Sequence, residues 1–309
     1  MEKKTLKDWI IATKPWSFNV SASSVIITSA YLYYNMLVQH AQEPDFHPTS
    51  NDFDWLNAVI ALVMIICFHA AGNLLSDYRD YIYGIDKPGN DNEVKWISGG
   101  LFSPKEIRNF GYAMLVPATL LGILLLQRAG WEVAWIGVLG IIFAGAYSFF
   151  KFHAMGDLDI ICCYALLPSI GTSFVVTGEY HYEVLLLSLT YGLFTNGLLH
   201  YNNTRDIESD SQAGITTLPI LVGLKVSKYI YLCFEMLPFV ITMVLIVVGI
   251  LPLWALLVFL TFPSALKLVR MMLSSKTCKD LDGYDLPNAQ QQLKFSLFLL
   301  LGIICGMFI

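Results

Sequence analysis

The sequence predicts an all-α integral membrane protein, with nine transmembrane helices arranged around a central cavity that opens to the cytoplasmic side. Three observations lead there. Of 309 residues, 56% are hydrophobic and only 14% are charged, against roughly 25% charged in a soluble domain. Most of the long apolar runs carry no polar face, which a large soluble helical protein would need. The runs are close to the ~20 residues that cross a hydrocarbon core.

The elements follow in chain order. Residues 2–14 are amphipathic, with Leu6, Trp9, Ile10 and Ile11 set against Lys3, Lys4, Lys7 and Asp8. This pattern predicts a short helix, within residues 1–14, lying in the membrane interface. Pro15 ends it. The apolar stretch that follows starts too late and runs too long for a cleaved leader, and it reads as the first retained span. Spans are expected at about 17–38, 55–75, 109–127, 132–150, 158–178, 183–201, 227–249, 252–272 and 290–309. Pro117, Pro168, Gly171 and Pro238 inside them are tolerated because neighbouring helices satisfy the freed backbone groups.

Nine spans sort the charges. Of the 19 Lys and Arg, all but Arg128 fall on the side of the N-terminus or at its edge. By the positive-inside rule that side is cytoplasmic, which predicts a multi-pass protein of the cell inner membrane with a cytoplasmic N-terminus. Residues 1–309 form one domain. Three cytoplasmic loops are long, at about 76–108, 202–226 and 273–289. The third, with Asp280, Asp282 and Asp285, has no interpretable spacing and reads as a solvated connector.

The six cysteines include no C-x-x-C pair, and five of them lie inside apolar runs. They read as reduced, small hydrophobes. Walker A, G-x-G-x-x-G, H-E-x-x-H and G-x-S-x-G runs are missing, and no nucleic-acid partner is expected. His69 and His200 lie near the charged stretches described next and read as packing residues.

Two stretches carry the chemistry. Asn73, Asp77 and Asp80 follow the second apolar run at helical spacing, and share one face if that helix continues. Asn202, Asp206 and Asp210 follow the sixth run in the same way. Unpaired carboxylates near lipid repel and are costly. Mg²⁺ removes both problems, because it takes oxygen ligands from one or two carboxylates plus substrate phosphate. Arg79 and Arg205 lie inside the clusters, with Lys95 and Lys151 near, as phosphate contacts. An anionic phosphorylated substrate with an apolar tail, such as a polyprenyl diphosphate, matches acid, base and bilayer together. Two readings remain beside it. Each cluster alone is also what an ordinary solvated helix end looks like, and a transporter of an anionic metabolite would use similar residues. A transporter, however, places its charges near mid-bilayer on broken helices.

At these residues the chain resembles the UbiA superfamily of intramembrane aromatic prenyltransferases. The first motif is Asp77, Tyr78, Asp80, Asp86, Lys87 and Pro88. The second is Asn202, Asn203, Arg205, Asp206, Ile207, Asp210, Gly214, Thr217, Leu218 and Gly223. Their wording is most similar to the menaquinone branch, the 1,4-dihydroxy-2-naphthoate polyprenyltransferases. Ser76 and Ile215 depart from the pattern, as does Lys95 ahead of Ser98-Gly99-Gly100.

The resemblance implies a Mg²⁺-dependent transferase. Asp77, Asp80, Asp206 and Asp210 would bind the metal, and Asn73, Asn203 and Asp86 would assist directly or through water. Lys95, Lys151 and Arg205 would hold the diphosphate, with Arg79 and Asn202 also facing substrate. Tyr147 and Tyr201 would line the allylic cation. The aromatic acceptor implied is dihydroxynaphthoate, which would lose CO₂ and give demethylmenaquinone. Other acceptors in view are 4-hydroxybenzoate and a chlorin or haem ring.

Overall fold

The computed structural model describes residues 4–41, 48–49, 52–84, 96–212 and 214–308, without the side chains of 145–148 and 151–152. The described residues are helical with no strand. Helix α1 (Leu6–Ala12) is started by a capping box in which Thr5 and Asp8 bond each other's backbone. It is shorter than the amphipathic stretch predicted. Trp9 packs edge-on to Phe102 and Phe110, at ring centroid distances of 4.6 and 4.9 Å. Leu6 and Ile10 stay exposed. The helix therefore has one face on the protein and leaves an apolar face outside.

A turn at Pro15–Ser17 leads into α2 (Phe18–Gln39). Then come α3 (Trp55–Ile82), α4 (Pro104–Ala129) and α5 (Ala134–Phe152). Helices α6 (Gly156–Ile161) and α7 (Leu167–Thr177) form one rod, joined by a π-helical stretch, Cys162–Leu166. Helix α8 (Glu183–Arg205) is followed by the short α9 (Ile207–Gln212) and by α10 (Leu218–Val247). A 3₁₀ run, Leu253–Thr261, continues into α11 (Phe262–Ser274), and α12 (Asp285–Gly306) closes the chain.

Six of these rods are long and apolar enough to cross a membrane: α3, α4, α6–α7, α10, the rod 253–274, and α12. The other three predicted spans fall on α2, α5 and α8; α2 and α8 do not reach that measure, and for α5 the described residues give an apolar stretch over Trp131–Ala144. For α2 and α8 the reason is visible. Ser21, Ser23, Ser24, Thr28 and Ser29 of α2 are buried against neighbours, as are Thr190, Thr195, Asn196 and His200 of α8. Small and polar residues at helix interfaces let backbones approach and bond across the gap. The protein is a multi-pass membrane protein.

Helix α3 packs on α4, α8 on α10, and α12 on the 253–261 run. Phe194, Phe239 and Phe295 interlock α8, α10 and α12, with centroids 4.8 to 5.9 Å apart. Gly302 is needed where α12 crosses the 3₁₀ run, because a Cβ there would lie 2.6 Å from the Trp254 carbonyl oxygen. At one end of the bundle Arg128 donates to Asn57 Oδ1 (2.6 Å) and to Asp54 Oδ2 (2.8 Å). Asn57 in turn donates to the Val175 carbonyl (2.8 Å). The one basic residue sorted to that side thus clamps α3, α4 and α7 together.

Candidate active site

Helix α3 runs on past the apolar stretch to Ile82, so Asn73, Asp77 and Asp80 do share its surface, as the spacing predicted. Each is half-buried. Lys14 adopts a left-handed backbone (φ 55°) in the turn before Pro15. Its Nζ reaches Asp77 Oδ1 at 2.8 Å. Asn73 spends its amide on the same turn, donating to the Thr13 carbonyl (2.9 Å) and Ser17 Oγ (3.1 Å). In this structure Asn73 therefore holds the α1–α2 turn against α3. His69 is bonded by Ser17 and Ser21, in keeping with a packing role. Arg79 lies half-buried just before Asp80. Tyr78 stacks under the Arg108 guanidinium at 5.9 Å.

The second cluster differs from a simple continuing helix. Helix α8 stops at Arg205, with Asp206 as its C-cap, and Asp210 sits on the separate α9. Thr204 Oγ1 bonds back to the His200 carbonyl (2.6 Å) inside α8, a contact that can bend a helix. The four-residue spacing survives locally, since the Asp210 amide donates to the Asp206 carbonyl at 2.8 Å. The chain then turns at Gly214 (φ 74°), where the backbone favours glycine.

Arg205 forks onto Asp206 with two 2.8 Å bonds, and its third nitrogen reaches Asp285 Oδ1 at 2.5 Å. These bonds, Asp206's first, push the guanidinium well above its ordinary pKa. Asn202 Oδ1 is buried with no partner. Asn203 lines a small cavity with Asp157, Leu199 and Thr217.

Two sequence expectations meet tertiary contacts that spacing did not show. The third loop is largely exposed, with Asp280, Asp282 and Asp285 at the surface, but it is tied to the bundle. Its Cys278–Leu281 turn buries Leu281, and Asp285 at its end grips Arg205. Tyr201 is fully buried; it donates to the Leu281 carbonyl and accepts from the Tyr284 amide. Its hydroxyl fastens that loop, and the Arg205 guanidinium lies 5.7 Å from its ring centre. No spacing signal in the sequence pointed to Asp285, because its partner lies 80 positions away. Asp86 and Lys95, with Lys87 and Pro88, lie outside the described residues, as do the side chains of Tyr147 and Lys151.

Both clusters sit at the same end of the bundle. Asp77 lies near the C-terminal end of α3, against the turn that starts α2; Arg205 ends α8, against the start of α12. The Asn19 amide of α2 bonds Gln292 of α12, linking those starts. Among the described residues no three His, Cys, Asp or Glu are grouped so as to hold a metal ion by themselves. Carboxylate and amide oxygens are the donor set that suits Mg²⁺, which shares its coordination with phosphate and water, better than a structural zinc site; Asp77 and Asp206 are here paired with Lys14 and Arg205.

The fold and site define the class as a multi-pass helical membrane protein with charged side chains at two helix ends. The profile of the UbiA prenyltransferase family matches residues 48–281. The UbiA prenyltransferase domain-containing protein 1 of Xenopus tropicalis is 30% identical over 250 residues, 79% of this chain and 68% of that protein. The human protein of that name is 29% identical over 305 residues, covering 96% and 83%. In fold, a UbiA homolog from Archaeoglobus fulgidus bound to GPP and Mg²⁺ matches with a TM-score of 0.62 at 11% identity. That match covers 97% of this chain and 99% of the homolog. The chain belongs to the UbiA prenyltransferase family and is a transferase. These animal relatives do not support its placement in the menaquinone branch, which rested on motif wording alone.

Proposed function

We propose that this enzyme transfers a polyprenyl group from its diphosphate to an electron-rich aromatic acceptor at the cytoplasmic edge of the bilayer. What supports the reading is that two carboxylate-bearing helix ends lie toward the same end of an apolar bundle. Asp77, Asp80, Asp206 and Asp210 would hold Mg²⁺. Bound there, the metal supplies charge neutralisation for the departing diphosphate. Arg79 and Arg205, with Lys95 and Lys151, bind the phosphate oxygens that remain. Asn202 and Asn203 orient the ligand by hydrogen bonds. The tail lies among the helices, where exclusion of water protects the allylic cation. The C–O bond to diphosphate breaks, a ring carbon supplies the electron pair for the new C–C bond, and the ring then loses a proton or CO₂.

The motif resemblance favours dihydroxynaphthoate as acceptor. The animal relatives do not add to that, so a panel that also holds 4-hydroxybenzoate and non-carboxylated ring acceptors decides it. In membranes given labelled prenyl diphosphate, the panel and Mg²⁺, product is expected with at least one acceptor. EDTA, Asp77→Ala and Asp206→Ala should each abolish it. Product persisting in chelator would remove the metal from the scheme.

A further inference from the structure

Asp157 and His200 hold positions that prenyl transfer leaves without a role. Between α5 and α6 the chain makes a tight turn. Ala154 adopts φ 58°, a left-handed conformation costly for a residue with a Cβ. Its amide donates to the Thr216 carbonyl at 2.8 Å. Just past the turn, in the first residues of α6, α8 takes hold of Asp157 twice. The Asn196 amide donates to the Asp157 carbonyl (2.9 Å), and His200 Nδ1 lies 3.4 Å from Asp157 Oδ2. Asn196 and His200 are four apart, so one face of α8 makes both contacts.

The second nitrogen of His200 fixes its tautomer. Nε2 lies 3.2 Å from the Ser227 carbonyl, which can only accept, so Nε2 carries a hydrogen. Nδ1 then faces Asp157 Oδ2. The imidazole is fully buried and joins three elements: α6, α8 and α10 just beyond its Gly223 kink. Asp157 Oδ1 and Thr217 Oγ1 are buried and unpartnered. Both residues line the cavity of about 20 Å³ that also touches Asn203. One water-sized donor fits such a space.

We propose that Asp157 and His200 are positioning residues for the second acidic motif. The 154–157 turn braces that motif at both ends. On one side His200 and Asn196 fix the α8 turns that lead into Asn203 and Asp206. On the other, Ala154 fixes Thr216, after Asp210. Neither Asp157 nor His200 touches the reacting atoms. The inference rests on the proposed role of Asp206 and Asp210 in binding a metal–diphosphate.

The test uses the full chain in detergent, with Asp157→Ala, Asp157→Asn and His200→Gln. Three quantities are read: amide hydrogen exchange over residues 206–216 without metal, Mn²⁺ binding with inorganic pyrophosphate by EPR, and KM against kcat for prenyl transfer. Asp157→Ala should speed exchange in that segment. It should also weaken Mn²⁺–pyrophosphate binding and raise KM by about tenfold or more, the scale for residues that orient ligands. The change in kcat should stay within about twofold, since no reacting group is lost. Asp157→Asn should restore all three, because its amide can donate to Nδ1 while Nε2 keeps the Ser227 carbonyl. His200→Gln should fall between.

If Asp157→Asn folds but is impaired as deeply as the alanine variant, the positioning role is overturned in favour of a chemical one. Unchanged exchange and Mn²⁺ binding in Asp157→Ala overturns it as well. If the alanine variant does not fold, a tenfold loss in Asp157→Asn likewise overturns the positioning role. Wild-type protein that binds no Mn²⁺ with pyrophosphate would instead overturn the proposed function, while the exchange arm still tests the brace.

Discussion

Arg205 offers the most direct test of how the two helix ends meet a ligand. It joins Asp206 of the second motif to Asp285 at the start of α12. A charge-assisted hydrogen bond contributes about 1.5–3 kcal/mol when well buried. The side chains here are 20% exposed for Arg205, 37% for Asp206 and 50% for Asp285. Solvent screening reduces each pairing to about 0.5–1 kcal/mol. Removing both by Arg205→Ala should therefore misplace Asp206 at a cost of about 1–2 kcal/mol, or a 5- to 30-fold rise in KM for the prenyl diphosphate. Arg205→Lys keeps the charge but not the fork, and should still lose several-fold. Asp285→Ala should cost roughly 2- to 5-fold. The assay is steady-state transfer with purified protein at saturating Mg²⁺, run as a double-mutant cycle of Arg205 and Asp285. A coupling smaller than about 0.3 kcal/mol, or a lysine variant equal to wild type, would refute the reasoning.

Two further predictions concern the frame around the site. Arg128→Ala should leave Asn57 Oδ1 buried without its donor and lower stability by roughly 2–3 kcal/mol. A lower thermal midpoint by tryptophan fluorescence in detergent checks this, with Mg²⁺ half-saturation unchanged because Arg128 lies at the opposite end. An unchanged midpoint would show that the clamp is dispensable. In the third loop, Asp280 accepts from the Lys276 and Thr277 amides, and those bonds hold its carboxyl below the ordinary 3.8. A depressed folded-state pKa stabilises above the unfolded value and is lost as pH falls through the folded one. The Cys278–Leu281 turn should therefore keep its amide protection from neutral pH down to about pH 4 and lose it below. Hydrogen exchange across that range measures it, and loss of protection already at pH 6 would rule out the carboxylate as the clasp.

The sequence by itself determined the membrane class, the apolar rods and the two acidic helix ends. Those properties are local: span length, helical spacing and charge sorting are written along the chain. It also carried Asn73, Asp77 and Asp80 onto one face, since α3 runs unbroken through them. At the second motif the helix breaks at Asp206, where spacing alone would continue it. What Asn73, Tyr201, Asp157 and Asp285 do was decided only by tertiary structure. Their partners lie 39 to 83 positions away. A hydrogen bond needs two groups within about 3 Å, and only the packing of α1, α6, α8 and α12 brings them there.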